Sequence, residues 1–167
     1  CDFLACSAYK FFGPHLGILY GKREHLARLT PYKVRAAPDE IPYCWETGTQ
    51  NHEGLAGLVA AIAYLTTLGQ RISPTANQRR QALMTAMAAI QDYERSLSEK
   101  LIPHLLKIPG LTLYGITDPS RFAWRTPTVG IRIAGYTPRE LAIALGDRGI
   151  FPWNGNFYAL HLTQRLD

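Results

Sequence analysis

Between His52 and Gly69 the residues Leu55, Leu58, Ile62, Leu65 and Leu68 recur every three or four positions among alanines. That spacing gathers them on one side of an α-helix and predicts a buried helix stopped at Gly69. Ser73-Pro74 then offers an N-cap and a first-turn proline for a second, longer helix with Leu83, Met87, Ile90, Leu97 and Leu101 inward. Pro103 must kink or end it, because the ring clashes with the preceding turn and removes a backbone donor. A chain of 167 residues, 47% hydrophobic and 19% charged, has room for one domain or two small ones around such helices.

On either side of the helices the period changes to that of strands. Residues 2–9 form a short apolar run, and Gly17 to Tyr20 repeats it after the Gly13-Pro14 turn, so two strands bracket Lys10. Residues 29–45 hold several prolines and no helical period, which predicts a long loop. After Ile108-Pro109-Gly110, "LTLYG" reads as an edge strand and "TVGIRI", Thr128 to Ile133, as a strand with Val129, Ile131 and Ile133 on one side. Thr137-Pro138-Arg139-Glu140 combines a capping box with a first-turn proline and starts a helix that stops at Gly149. "GIFPW" is expected as a last strand. The order predicts an α/β chain: the edge of one α/β domain, joined by a long helix to a smaller one.

The net charge is +5, and Lys22, Arg23, Arg28, Lys33 and Arg35 form the densest basic segment. Without a recognition-helix or zinc-finger pattern, a solvated loop face is favoured over nucleic-acid binding, its acidic counterparts expected on another part of the protein. The odd set Cys1, Cys6 and Cys44 lacks CxxC spacing and reads as free thiols in a reducing compartment. Scattered histidines show no ligand spacing, so no metal site is expected. No run approaches about 18 consecutive apolar residues and no signal peptide is visible, which makes a cytoplasmic protein without a membrane span the expectation. The first residues, "CDFLAC", already read as a strand, as if the sequence were a fragment.

Several catalytic patterns fail. Gly17-Ile-Leu-Tyr-Gly21-Lys22 is one residue short of a P-loop and has Arg23 where a metal-binding hydroxyl is needed. Neither GxSxG nor HExxH occurs. Lys10 is different: a lysine held where strand meets turn, flanked by Tyr9, Phe11 and Phe12, is expected to be partly desolvated, which favours a neutral amine able to form a Schiff base with an aldehyde. Pyridoxal phosphate is the common partner of such a lysine. On the residues alone a lysine that snorkels from a strand end is favoured over that reading.

Two longer stretches carry a resemblance. "SAYKFFGPHLGILY", Ser7 to Tyr20, resembles the cofactor-lysine segment of the class V aminotransferase and cysteine desulfurase-like family: a serine, a histidine, the lysine, Gly-Pro, and a strand ending "LY". "WETGTQNHEGLAGLVAAIAYL", Trp45 to Leu65, is similar to the family's next signature, and "IPGLTLYG" and "GIFPWNGNFYAL" resemble parts of its small C-terminal domain. The resemblance implies the C-terminal half of a fold-type I enzyme. Residues 1–72 would complete the large cofactor domain, residues 73–108 the linking helix, and residues 109–167 an incomplete small domain.

It further implies pyridoxal 5'-phosphate as cofactor, Lys10 as its Schiff-base lysine and proton shuttle, and Ser7 as a contact to the cofactor phosphate. Thr49 would reach the phosphate of a neighbouring subunit, hence a homodimer acting on a small amino acid. For Ser7 and Thr49 a role as local turn caps is the alternative. Tyr9 departs from the pattern, standing where the family has histidine. The segment Phe151 to Phe157 lacks the thiol that desulfurases carry there, and Cys44 does not match its position. Asp2 is not the partner of the pyridine nitrogen, which the family carries upstream. Persulfide-type sulfur transfer is therefore not expected, and transamination, lyase chemistry and epimerisation stay open. A reading of another class is a non-enzymatic interaction module binding nucleic acid through residues 22–35.

Overall fold

The computed structural model describes residues 1–46 and 48–166. It is a mixed α/β chain whose contacts divide it into two units, Cys1–Ala89 and Ile90–Asp167.

In the first unit β1 (Phe3–Ser7) pairs antiparallel with β2 (Gly17–Gly21), with Phe3 opposite Gly21 and Ser7 opposite Gly17. A 3-10 turn, Ala8–Phe11, follows β1 directly, so the strand ends two residues earlier than the apolar run suggested. Phe3 and Leu4 are exposed, and β1 is not the buried strand expected, because the sheet has only two strands and no layer covers it among the described residues. A short helix, α1 (Arg23–Arg28), lies inside the basic segment, where the sequence predicts a solvated loop face; its Leu26 closes over Gly21, where a side chain would crowd it. Residues 29–42 are irregular, as expected, and end in a 3-10 turn at Tyr43–Trp45.

The long apolar helix is present as α2 (His52–Ile72), capped by Asn51, whose Oδ1 accepts from the Gly54 amide at 2.8 Å. Gly69 does not stop it. The glycine is instead the point where α3 (Arg79–Leu105) crosses closely, since a Cβ there would overlap the Ala82 carbonyl. Only a stripe through Gly54, Ala61, Leu65 and Gly69 is buried, while Val59 and Tyr64 are exposed, so α2 is covered on one side. By length and composition α2 is also apolar enough to cross a membrane, which the count of consecutive apolar residues had not anticipated.

Ser73 does not begin the second helix. Its amide donates to Gly69 and it closes α2, and α3 starts six residues later. The inward side of α3 is also different from the one expected. Ala82, Ala86, Ser98 and Ile102 are buried, whereas Met87, Leu97 and Leu101 stand about half exposed. Small residues let backbones approach, so contact follows the alanine stripe and not the larger side chains beside it. Pro103 lies inside the last turn and α3 ends two residues beyond it.

The second unit holds the end of α3 and a two-stranded antiparallel sheet, β3 (Leu111–Tyr114) with β4 (Gly130–Ile133), Leu111 facing Ile133. Ile131 and Ile133 alternate inward as their period requires. Phe122, in a 3-10 helix at Pro119–Trp124, and Ile102 are its buried apolar residues. The Arg125 guanidinium secures the intervening loop by donating to the carbonyls of Ile116 and Thr128. Thr137 and Glu140 form the expected capping box of α4 (Pro138–Gly146), which ends three residues before Gly149. "GIFPW" is not a strand. Pro152 has no amide to give a ladder, and the segment is irregular up to α5 (Leu160–Leu166), which no period had signalled.

Candidate active site around Lys10

The turn that carries Lys10 is built by a few short backbone bonds. The Ala8 amide donates to the Leu16 carbonyl at 2.8 Å and the Leu16 amide to the Pro14 carbonyl at 2.8 Å. The Ala8 carbonyl accepts from Gly13 at 2.9 Å. Ala8 is fully buried beneath this loop, and a Cβ on Gly13 would come within 2.8 Å of both its methyl group and its carbonyl oxygen. Phe12 takes a left-handed conformation, φ 69°, to let the chain reverse. Pro14 then meets the Gly57 backbone on α2, close enough that a Cβ there would touch its ring at 3.4 Å. The Gly-Pro turn and the helix that follows "ETGTQN" are thereby packed together.

On this frame Ser7 is the last residue of β1, half-buried, and stands at the N-cap of the 3-10 turn without a capping hydrogen bond from its side chain. Its hydroxyl is not spent on the cap that the alternative reading required. Thr49 is exposed ahead of α2, and the cap there is Asn51. Tyr9 and Lys10 sit in the turn itself. Lys10 is exposed, contrary to the expected desolvation: of its neighbours only Ala8 is buried, while Tyr9 and Phe12 are 48% and 67% accessible. Among the described residues the Lys10 ammonium has no carboxylate partner; its Nζ lies 5.1 Å from the Tyr9 ring centroid. The Tyr9 ring in turn lies 5.0 Å from that of His15. His15 had no role in the sequence reading, because only the Gly13-Pro14 reversal brings it back beside Tyr9.

The other ends of the strands are charged. Asp2 accepts from Lys22 Nζ at 2.8 Å and lies 3.3 Å from His25 Nε2, and these partners, Lys22 first, hold its carboxyl below the ordinary value. Lys33 pairs with Asp39 at 2.8 Å and lowers that carboxyl in the same way. Two cations of the basic segment thus find acidic counterparts inside this chain, where the sequence reading had looked for them elsewhere. Cys1, Cys6 and Cys44 are all free thiols, and Cys44 is 5% exposed in its 3-10 turn.

The donor set suits a phosphate-bearing aldehyde such as pyridoxal phosphate: an accessible primary amine without a competing carboxylate among the described residues, and at the end of the adjoining strand the Ser7 hydroxyl, which makes no capping bond. The aminotransferase class-V family model matches residues 1–166. Proteins named cysteine desulfurase from Yersinia pestis (strain Pestoides F) and Yersinia pseudotuberculosis serotype O:3 (strain YPIII) are each 34% identical to the chain over 97% of its length. The chain spans 37% of the length of these curated relatives. From the family match over nearly every residue it follows that the chain belongs to the aminotransferase class-V family.

Proposed function

We propose that this chain is part of a pyridoxal-phosphate-dependent enzyme of fold type I acting on an amino acid, with Lys10 as the residue that carries the cofactor. The observation that supports this most directly is the place of Lys10 on a turn locked by the Ala8, Gly13 and Leu16 backbone bonds, at the position of the lysine in the stretch that resembles the family's cofactor segment. The cofactor, when bound, withdraws electrons from a bond at the substrate's α-carbon. The chain's own residues do the rest. Lys10 Nζ takes and returns the α-proton, Ser7 Oγ donates to the phosphate, and the Tyr9 phenol offers a donor where the family pattern has an imidazole.

Thr49, exposed ahead of α2, is assigned to the phosphate of a neighbouring subunit, which makes the working unit a homodimer. Residues 1–72 belong on this reading to the large domain, 73–108 to the linking helix and 109–167 to the small domain. Free thiols fit a cytoplasmic setting. The relatives are named for desulfuration, but no thiol occurs between Phe151 and Phe157, so a covalent sulfur relay lacks its nucleophile in this chain. Reaction at the α- or β-carbon without a persulfide is the activity favoured.

The test is direct. Mixed with pyridoxal phosphate, the protein should develop a visible absorbance band, and borohydride should fix the cofactor mass onto the peptide containing Lys10. Lys10→Ala should abolish both, and a band that survives in that variant would overturn the assignment.

A further inference from the structure

Lys10 differs from the other paired lysines in what holds it. Lys22 and Lys33 meet the carboxylates of Asp2 and Asp39 at 2.8 Å, while Lys10 Nζ meets an aromatic ring, 5.1 Å from the Tyr9 centroid. That separation lies within the roughly 6 Å over which a ring attracts an ammonium. The ring is itself held. The Tyr9 and His15 centroids are 5.0 Å apart with planes inclined by 34°, within the range of roughly 4.5–7 Å favoured by aromatic pairs. Both residues adjoin the locked pair Ala8 and Leu16, joined by the amide-to-carbonyl bond of 2.8 Å, so the backbone holds the two residues beside each other across the turn.

The chemistry of the two kinds of partner differs. A carboxylate accepts a hydrogen bond from the ammonium and competes for the amine at each encounter with a carbonyl compound. A ring face attracts the cation while taking none of its hydrogens in a strong bond. We infer that Tyr9, backed by His15, is a positioning residue: the ring pair is the resting place of the Lys10 amine whenever that amine is not covalently engaged. It keeps Nζ over the turn and available, where a free lysine chain would sweep through solvent. The inference rests on the reading of Lys10 as the cofactor lysine for its catalytic consequence, and on the two ring geometries for its structural part.

The two parts are read separately. The chain's lysines, Lys10, Lys22, Lys33, Lys100 and Lys107, can be dimethylated reductively with 13C-formaldehyde, which preserves their charge, and Lys10→Arg identifies the Lys10 resonance. In the cofactor-free protein that resonance should lie upfield of the other lysines because it sits in the ring current of Tyr9. The displacement should persist in Tyr9→Phe, vanish in Tyr9→Leu, and diminish in His15→Ala but not in His15→Phe. An unshifted Lys10 signal in the unsubstituted protein overturns the inference even if Tyr9→Leu fails to fold.

For the catalytic part, the rate at which the absorbance band appears with pyridoxal phosphate should be about two- to fivefold lower in Tyr9→Leu than in Tyr9→Phe, the range expected for one exposed cation–π contact, since both variants lack the phenol and only Phe keeps the ring. Equal rates in the two variants, or a faster one in Tyr9→Leu, contradict it. A band indifferent to Lys10→Ala would instead remove the cofactor assignment and leave the ring-current result standing.

Discussion

At the scale of single residues the Lys10 turn shows how little of a reactive site is a matter of residue type. The sequence places a lysine beside three aromatic residues, and that neighbourhood predicted desolvation. The 3-10 conformation instead buries only Ala8 and leaves Lys10 and Phe12 outward. What makes the amine distinctive is the Tyr9 ring against it and His15 beside that ring, the latter legible only after the chain reverses at Gly13-Pro14. Cys44 poses the complementary question. It is 5% exposed, and the segment from Phe151 to Phe157 has no thiol, so turnover with L-cysteine should leave Cys44 without a persulfide by mass spectrometry. A persulfide accumulating there during turnover would show that the buried thiol reaches substrate after all.

Among the elements, the full capping box of α4 was legible, whereas the Ser73 cap, the Gly69 stop and the inward faces were not. Thr137-Pro138-Arg139-Glu140 forms the predicted box, with the Thr137 amide donating to Glu140 Oε2 at 2.8 Å and the hydroxyl at 2.7 Å. Those donors, the backbone amide first, hold the Glu140 carboxyl below its ordinary value of 4.5. A depressed carboxylate contributes stability that is present above the unfolded value and lost as pH falls through the folded one. The chain should therefore lose stability as pH drops below about 4.5, and Glu140→Gln should make the urea midpoint fall less steeply across that window. An identical slope in the variant would remove Glu140 from the acid response. Caps are local, since three or four adjacent residues decide them. The inward side of α3 is not: its larger side chains suggested Leu83, Met87, Leu97 and Leu101, yet Gly69 on α2 admits the Ala82 backbone and turns the alanine stripe inward. Gly69→Ala should force the two helices apart and cost about 1–3 kcal/mol in urea unfolding. Gly146→Ala, whose Cβ would meet nothing within 4 Å, should leave stability unchanged or raised.

For the whole molecule the surface area is the telling quantity. A folded monomer of 18.7 kDa exposes about 8,300 Å², and two separate globules of half that mass about 10,000 Å². The chain exposes 13277 Å², with Val59, Tyr64, Met84, Phe151 and Trp153 among its accessible apolar residues. Prepared as these 167 residues, it should associate with rising concentration and brighten a hydrophobic dye. A monomer by sedimentation at every concentration, with no dye response, would contradict that expectation. What the sequence determined alone were features whose cause is local or periodic: the apolar helix from His52, the hairpin strands around Gly13-Pro14, the capping box of α4, and the two motif stretches by which the class-V family resemblance could be stated. Ser73 closes α2 because its amide goes to the Gly69 carbonyl, "GIFPW" fails as a strand because Pro152 has no amide for a ladder, and α5 carries no period that signals it. Tertiary structure alone decided which side of α3 turns inward, that Lys10 stands exposed against a ring pair, and that Lys22 and Lys33 find their carboxylates within the chain. The first of these depends on how closely two backbones can approach, a distance set jointly by residues far apart in sequence, and the others on reversals of the chain, which bring His15 back to Tyr9, Asp2 beside Lys22 and Asp39 beside Lys33.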